Sequence, residues 1–233
     1  MHDDTAPPPV VVHVDDDLVV VDKPGGVPSV PARTSLDPPD VAARLRAAFG
    51  SCEAAHRLDR DTSGLLVLAR NRAARIALGR AFETGMVTKV YLAIVAGVLP
   101  AATGEISLPL AADRDRPPRQ RVDPILGRRA TSRWRVLATA TSSSLVELEP
   151  VTGRSHQLRV HVAWLGCPIL MDPLYGGCGV GEARGGLALR AMRLVLPHPR
   201  DGRRLAIEAA WPSGGVWDDF DRRTWSGHAV GTA

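Results

Sequence analysis

The chain has 233 residues, 45% of them hydrophobic, with a formal charge of +4 and a pI near 9.4. That length and apolar content can fill the core of one large domain or two small ones, which excludes a disordered chain. The opening MHDDTAPPPVVVH lacks a basic stretch leading into an apolar one, and no apolar run approaches the ~20 residues that cross a bilayer, so a soluble cytoplasmic protein is expected.

In chain order, VVVHV (10–14) and LVVVD (18–22) flank the acidic turn Asp15-Asp16-Asp17 and read as a hairpin. KPGGVPSVPA (23–32) breaks regular structure. PDVAARLRAAFG (39–50) reads as a helix with Asp40 as N-cap and Gly50 as its stop. GLLVLA (64–69) is a continuous apolar run, as in a strand buried on both faces. A helix is predicted over 71–85, then strands over 87–97, 131–140 and 142–150. SHQLRVHVAWLG (155–166) reads as a helix capped by Ser155 and ended by Gly166, and strands over 187–199 and 203–212 follow. The stretches 98–104 and 112–130 read as loops, and VWDDFDRRTW (216–225) as a short helix packing its tryptophans. Runs of strands with few helices between them predict an α+β fold with a mixed, largely antiparallel central sheet and flanking helices, organised as a single domain over 1–233 with its core at about 10–210.

Cys52, Cys167 and Cys178 are odd in number and irregularly spaced, which gives neither a disulfide framework nor a zinc pattern. Charge is unevenly distributed. The first 22 residues hold six aspartates and no Lys or Arg, whereas 114–135 hold eight arginines. Such a stripe suits a polyanion such as nucleic acid.

The densest cluster of chemistry is HRLDRDTSGLLVLAR (56–70). Asp59-Arg60-Asp61-Thr62 fits the D-x-D-x-T pattern of metal-dependent phosphotransferases. Those sites need an apolar strand before the first aspartate, and here the apolar strand comes after, with EAAHRL before. The flanking arginines would also compete with a metal. No metal is expected. An aspartate held ionised by a nearby guanidinium fits the pattern better. His156 and His161 lie five apart without metal-ligand spacing.

HRLDRDTSGLLVLA resembles the signature of the RluA family of pseudouridine synthases, His-Arg-Leu-Asp-Arg-x-Thr-Ser-Gly leading into an apolar strand. The resemblance covers roughly residues 10 to 210. LVVVDKPGGVPS is similar to the family's opening motif, with Asp22 where Asn is usual. KVYLAIVAG carries the near-universal tyrosine as Tyr91. GRRATSRWRVL is similar to a Gly-x-x-Ala-x-Thr strand. PVTGRSHQLRVHVAWLGCPILMDPLYG (150–176) resembles Thr-Gly-Arg-x-His-Gln-Leu-Arg-x-His ending in Gly-Asp-x-x-Tyr-Gly. LRAMRLVLPHP is similar to the closing motif. Two further departures are Met171, where Gly is common, and Arg190, where Leu-His-Ala is usual. Both bear on substrate contacts more than on activity.

The resemblance implies conversion of uridine to pseudouridine in structured RNA, rRNA or tRNA. The N1–C1′ bond breaks and C5 bonds to C1′, with no cofactor or metal. It assigns catalysis to Asp59, with Arg159 as its ion-pair partner and Tyr91 stacking on the uracil, whereas Asp61 falls at a variable position. Arg57 would fill the stack vacated by a flipped base. Arg60, Lys23, Arg154, His156, Arg128 and Arg129 are the further RNA contacts it suggests. No separate N-terminal S4 domain and a monomer without membrane attachment are expected. The alternative is a catalytically silent RNA-binding protein on the same fold, against which the intact Asp59, Tyr91 and Arg159 speak.

Overall fold

The computed structural model describes residues 8–31, 38–176 and 186–225. Strand β1 (Val10–Val14) pairs antiparallel with β2 (Leu18–Lys23). The turn forms because the Asp15 carboxylate accepts from the backbone N–H groups of Asp17 and Leu18 at 2.9 and 3.0 Å. Helix α1 (Val41–Phe49) begins where Asp40 accepts from Ala43 N–H at 2.8 Å, and it stops at Gly50. A two-residue strand β3 (Glu53–Ala54) leads into the cluster at 56–62, and β4 (Ser63–Ala69) follows. Helix α2 (Arg72–Glu83) is capped by Asn71 and feeds β5 (Thr88–Ala96).

Strands β6 (Thr103–Ser107), β7 (Leu110–Ala112) and β8 (Gln120–Val122) fall partly in the stretches read as loops, 98–104 and 112–130, and otherwise between them, where the sequence reading places no element. Proline, glycine and arginine hide them, because short strands at an edge or in a small hairpin bury only a few side chains. β9 (Thr131–Thr139) and β10 (Ser143–Pro150) form a hairpin, helix α3 (Gln157–Trp164) follows, and β11 (Leu189–Pro197) and β12 (Arg204–Glu208) close the chain as an antiparallel pair. The tail is two 3₁₀ turns, Gly215–Asp219 and Arg222–Thr224, rather than an α-helix. They do pack aromatics. Phe220 is buried, and the Trp211 and Trp225 rings lie 6.4 Å apart.

Ten strands form one sheet in the order β1-β2-β4-β11-β5-β10-β9-β6, with β3 beside β4 and β12 beside β11. The β4–β11 contact is parallel and every other pairing in the sheet is antiparallel. The sheet is buried on both faces, which explains the unbroken apolar run of β4. Leu66 and Leu68 join a cluster with Val19, Val21, Tyr91 and Leu158 of α3. Leu65 and Val67 join a second cluster with Ala74, Leu78 and Ala81 of α2. Cys52 and Cys167 are buried free thiols, and Cys178 lies outside the described residues.

Candidate active site

The cluster at 56–62 is a tight turn at the mouth of β4. Thr62 N–H donates to the Asp59 carbonyl at 3.1 Å and closes it. Ser29 Oγ donates to the Leu58 carbonyl at 2.9 Å and accepts from Leu58 N–H at 3.1 Å. The Arg60 carbonyl accepts from Gly26 N–H at 2.9 Å and from Lys23 Nζ at 2.8 Å. The KPGGVPS segment is thus the cradle of this turn. Leu58 sinks into the core cluster that also holds Tyr91 and anchors the turn. Gly64 follows with φ +104°, and a Cβ there would stand 2.2 Å from the Ala191 carbonyl oxygen, so only glycine lets β4 approach β11 this closely.

Asp59 and Asp61 therefore precede the apolar strand. The Asp59 side chain is 22% exposed, and its carboxylate lies 3.6 Å from Nη1 of Arg159 on α3. Arg159 is 2% exposed. Its firmer partner is Asp172, which accepts from Nε at 2.8 Å and Nη2 at 2.7 Å in a bidentate fork. Asp172 also accepts from the N–H groups of Leu174 and Tyr175. Burial opposes the charge on Arg159, but the hydrogen bonds and charge of Asp172, then of Asp59, more than offset it and raise its pKa. The Tyr175 ring lies 5.3 Å from the guanidinium carbon. Asp172 and Tyr175 carry no assigned role in the sequence reading, although MDPLYG contains both; their relation to Arg159 appears only when the chain folds.

Tyr91 lies on β5, buried, with Ala191 and Leu148 as its neighbours across the sheet. Burial, then the charge of Asp59, raises its pKa, so the phenol stays protonated at neutral pH.

Helix α3 departs from its expected start. Its first turn is preceded by His156 at φ +53°, with no side-chain cap, so Ser155 does not cap it. Gln157, the first residue of the helix, instead fixes the chain that leads into it: its Oε1 accepts from Arg154 N–H at 3.0 Å and from Thr152 Oγ1 at 2.6 Å. Its Nε2 donates to the Thr131 carbonyl and Ser132 Oγ, both at 2.9 Å. Ser132 Oγ in turn bonds His161 Nδ1 at 2.9 Å. Burial lowers the pKa of His156 and of His161, so both are neutral. His156 Nδ1 bonds the Tyr175 hydroxyl at 2.7 Å, which also accepts from Gln120 N–H at 2.7 Å.

The remaining candidate contacts divide. Arg57, Arg60, Arg128 and Arg129 are exposed. Arg60 donates from Nε to the Gly26 carbonyl at 3.0 Å, and Arg154 from Nε to the Arg129 carbonyl at 3.1 Å. Arg121, Arg128 and Arg154 line a cavity of about 550 Å³ beside Gln120. Lys23 corrects the expectation of a phosphate contact. It is fully buried, and its Nζ donates to the carbonyls of Pro24, Val27 and Arg60 at 3.0, 2.8 and 2.8 Å. A lysine with its ammonium spent on three carbonyls presents no charge at the surface. Burial lowers its pKa to about 8. Arg190 corrects another: it pairs with Leu92 and Ser63 in the sheet and bonds Asp22, on the face opposite Tyr91, away from the site. Met171, just before Asp172, takes φ +62°, which explains why glycine suits this place.

A family model described as RNA pseudouridylate synthase matches residues 17–164. The dual-specificity RNA pseudouridine synthase RluA of Haemophilus influenzae is 42% identical over 200 residues, 85% of this chain and 91% of that one. Its counterpart in Escherichia coli strain K12 is 37% identical over 201 residues, 86% of this chain and 92% of that one. The solved structure of human RNA pseudouridylate synthase domain containing 1 superimposes with a TM-score of 0.74 at 29% identity, covering 88% of this chain and 84% of that one. A carboxylate turn, a buried tyrosine and a buried arginine thus meet on a fold and a sequence shared with these enzymes, and the chain belongs to the RluA family of RNA pseudouridine synthases.

Proposed function

We propose that Asp59 is the catalyst of this pseudouridine synthase, and that Tyr91 and Arg159 complete its site. The observation that carries this is the convergence of three segments distant in sequence: the accessible Asp59 carboxylate lies 3.6 Å from the buried Arg159 guanidinium and close enough to Tyr91 to raise its pKa. Arg159, fixed by Asp172, keeps Asp59 ionised and oriented. The carboxylate can then act on the nucleotide and balance positive charge at C1′ while the uracil turns. Tyr91, protonated, offers the uracil a ring face, a contact that contributes about 1–3 kcal/mol in base stacking. The chemistry exchanges one glycosidic bond for another and calls for no redox cofactor.

The substrate is structured RNA, rRNA or tRNA. The relatives from Haemophilus influenzae and Escherichia coli are named dual-specificity enzymes, which favours more than one RNA target here as well. The exposed Arg57, Arg60, Arg128 and Arg129, with Arg154, supply the phosphate-facing charge, and Arg57 takes the place of the flipped base. Residues 10–210 act as one catalytic unit, in a monomeric cytoplasmic protein.

Tritium release from RNA carrying 5-³H-uridine tests the assignment. Asp59→Ala should abolish release while RNA binding persists, whereas Asp61→Asn should stay within about tenfold of wild type, since its charge is not the reacting one. Full turnover by Asp59→Ala refutes the site. Binding without any release by the wild-type chain favours the silent RNA-binding alternative.

A further inference from the structure

Two departures from the family's motifs, Asp22 and Arg190, lie against each other. Arg190 Nη2 donates to the Asp22 carboxylate and to the Ala210 carbonyl at 3.2 Å. Their side chains are 18% and 11% exposed, so this pair is largely shielded from water. Removing one partner from such a pair leaves a poorly solvated charge.

Its position matters more than its strength. In the sheet order β2-β4-β11, Asp22 stands opposite Leu65 and Arg190 opposite Ser63, so the pair reaches across β4. The β4–β11 pairing is only two residue pairs long, Ser63 with Arg190 and Gly64 with Ala191. From Arg193 onward that edge of β11 pairs with β12 instead. The sheet therefore consists of two blocks joined at a short seam. One block, β1 to β4, carries Asp59 immediately before β4. The other carries Tyr91 on β5, and against its β9 and β10 packs α3 with Arg159. The carboxylate and its two partners sit on opposite sides of the seam. At its far end His198 and Arg200 reach Asp15 and Asp17 at 3.0 and 2.6 Å. At the other end, where the chain enters β4, two ionic contacts span the blocks: Asp59–Arg159 itself, and Asp22–Arg190 on the face opposite Tyr91.

We propose that Asp22 and Arg190 are a positioning pair that sets the registry of the two blocks, and with it the placement of Asp59 against Tyr91 and Arg159. The two residues must change together, because either charge alone is stranded. The inference rests on Asp59 being the catalyst.

The test compares Asp22→Asn, Arg190→His and the double variant. Each single variant should lower the single-turnover rate of tritium release by at least about tenfold while RNA affinity stays within about twofold. Amide exchange across 58–62, measured without RNA, should accelerate by about tenfold in each single variant. The double variant, carrying the neutral pair, should recover rate and exchange to within about threefold of wild type. Single variants with wild-type rate and exchange overturn the proposal. A double variant no better than the poorer single overturns it equally. Exchange is read without turnover, so a wild-type chain that releases no tritium defeats the reading of Asp59 while the exchange still decides the tie.

Discussion

Asp172→Asn is the sharpest probe of the site, because Asp172 touches neither solvent nor the expected position of the nucleotide. The wild-type carboxylate holds the buried Arg159 by two charge-assisted hydrogen bonds of 2.8 and 2.7 Å. Stranding a buried guanidinium by losing its partner costs about 3–5 kcal/mol. At about 2–4 °C per kcal/mol for a chain of this size, that lowers Tm by about 6–20 °C. Among the described residues, the freed guanidinium has one remaining carboxylate partner, Asp59, now 3.6 Å away. Closing that gap forms a charge-assisted hydrogen bond of about 1.5–3 kcal/mol that must be broken before the carboxylate can engage the nucleotide, which slows turnover by about 10- to 150-fold. Affinity for RNA is untouched, since neither group is needed for phosphate contact. Single-turnover tritium release, filter binding and thermal melting together read all three quantities. An Asp172→Asn variant that melts and turns over like wild type would show that the fork neither holds Arg159 nor protects Asp59 from it.

Lys23→Met should lower Tm and turnover but leave RNA affinity and its salt dependence unchanged, because the ammonium faces three carbonyls; a salt slope reduced by about one would restore it as a phosphate contact. Met171→Gly should raise stability by about 1 kcal/mol, or about 2–4 °C in Tm, by relieving a left-handed backbone that costs a side chain energy; a lower Tm refutes the strain. Stability should fall on acidification below pH 6.5. His56 accepts a hydrogen bond from Val67 N–H at 3.1 Å, and burial, then the charge of Lys89, lowers its pKa to about 3. Between those values the unfolded chain binds a proton that the folded chain does not, so each pH unit removes up to about 1.4 kcal/mol, and His56→Asn should flatten the slope of Tm against pH.

Much of this molecule was legible before it folded. Strong periodicity, and for α1 the capping residue Asp40, located α1, α2, β4, β5, β9, β10 and β11, because each buries a wide apolar face or begins at a side chain that can accept from the helix amides. β6, β7 and β8 were not legible, since their ladders are backbone bonds that leave little trace in side-chain pattern. The same limit applies at the site. The motifs single out Asp59 and Arg159, yet the fork between Arg159 and Asp172 depends on how the chain beyond α3 turns back, which spacing does not encode. Lys23 was misjudged because a lysine in a glycine-rich stretch reads as exposed. Its burial follows from carbonyls supplied by a turn 37 residues away. Ser155 was misjudged because the helix starts after His156, which takes a left-handed conformation and leaves the first turn without a side-chain cap.

The turn that carries Asp59 is held by its main chain. Ser29, Gly26 and Lys23 grip amide and carbonyl groups of Leu58 and Arg60, so the scaffold draws little on the side chains of the turn, with one bond from Arg60 Nε to the Gly26 carbonyl. A mutational library should reflect this unevenly. Positions 57, 60 and 61 should tolerate most residues without loss of folding, so that target choice can drift there. Positions 23 and 29 should be nearly intolerant, although neither reaches the RNA. For anyone retargeting this enzyme, the turn is a fixed socket whose fittings can be exchanged, and the way to break it is to alter the residues that never meet the substrate.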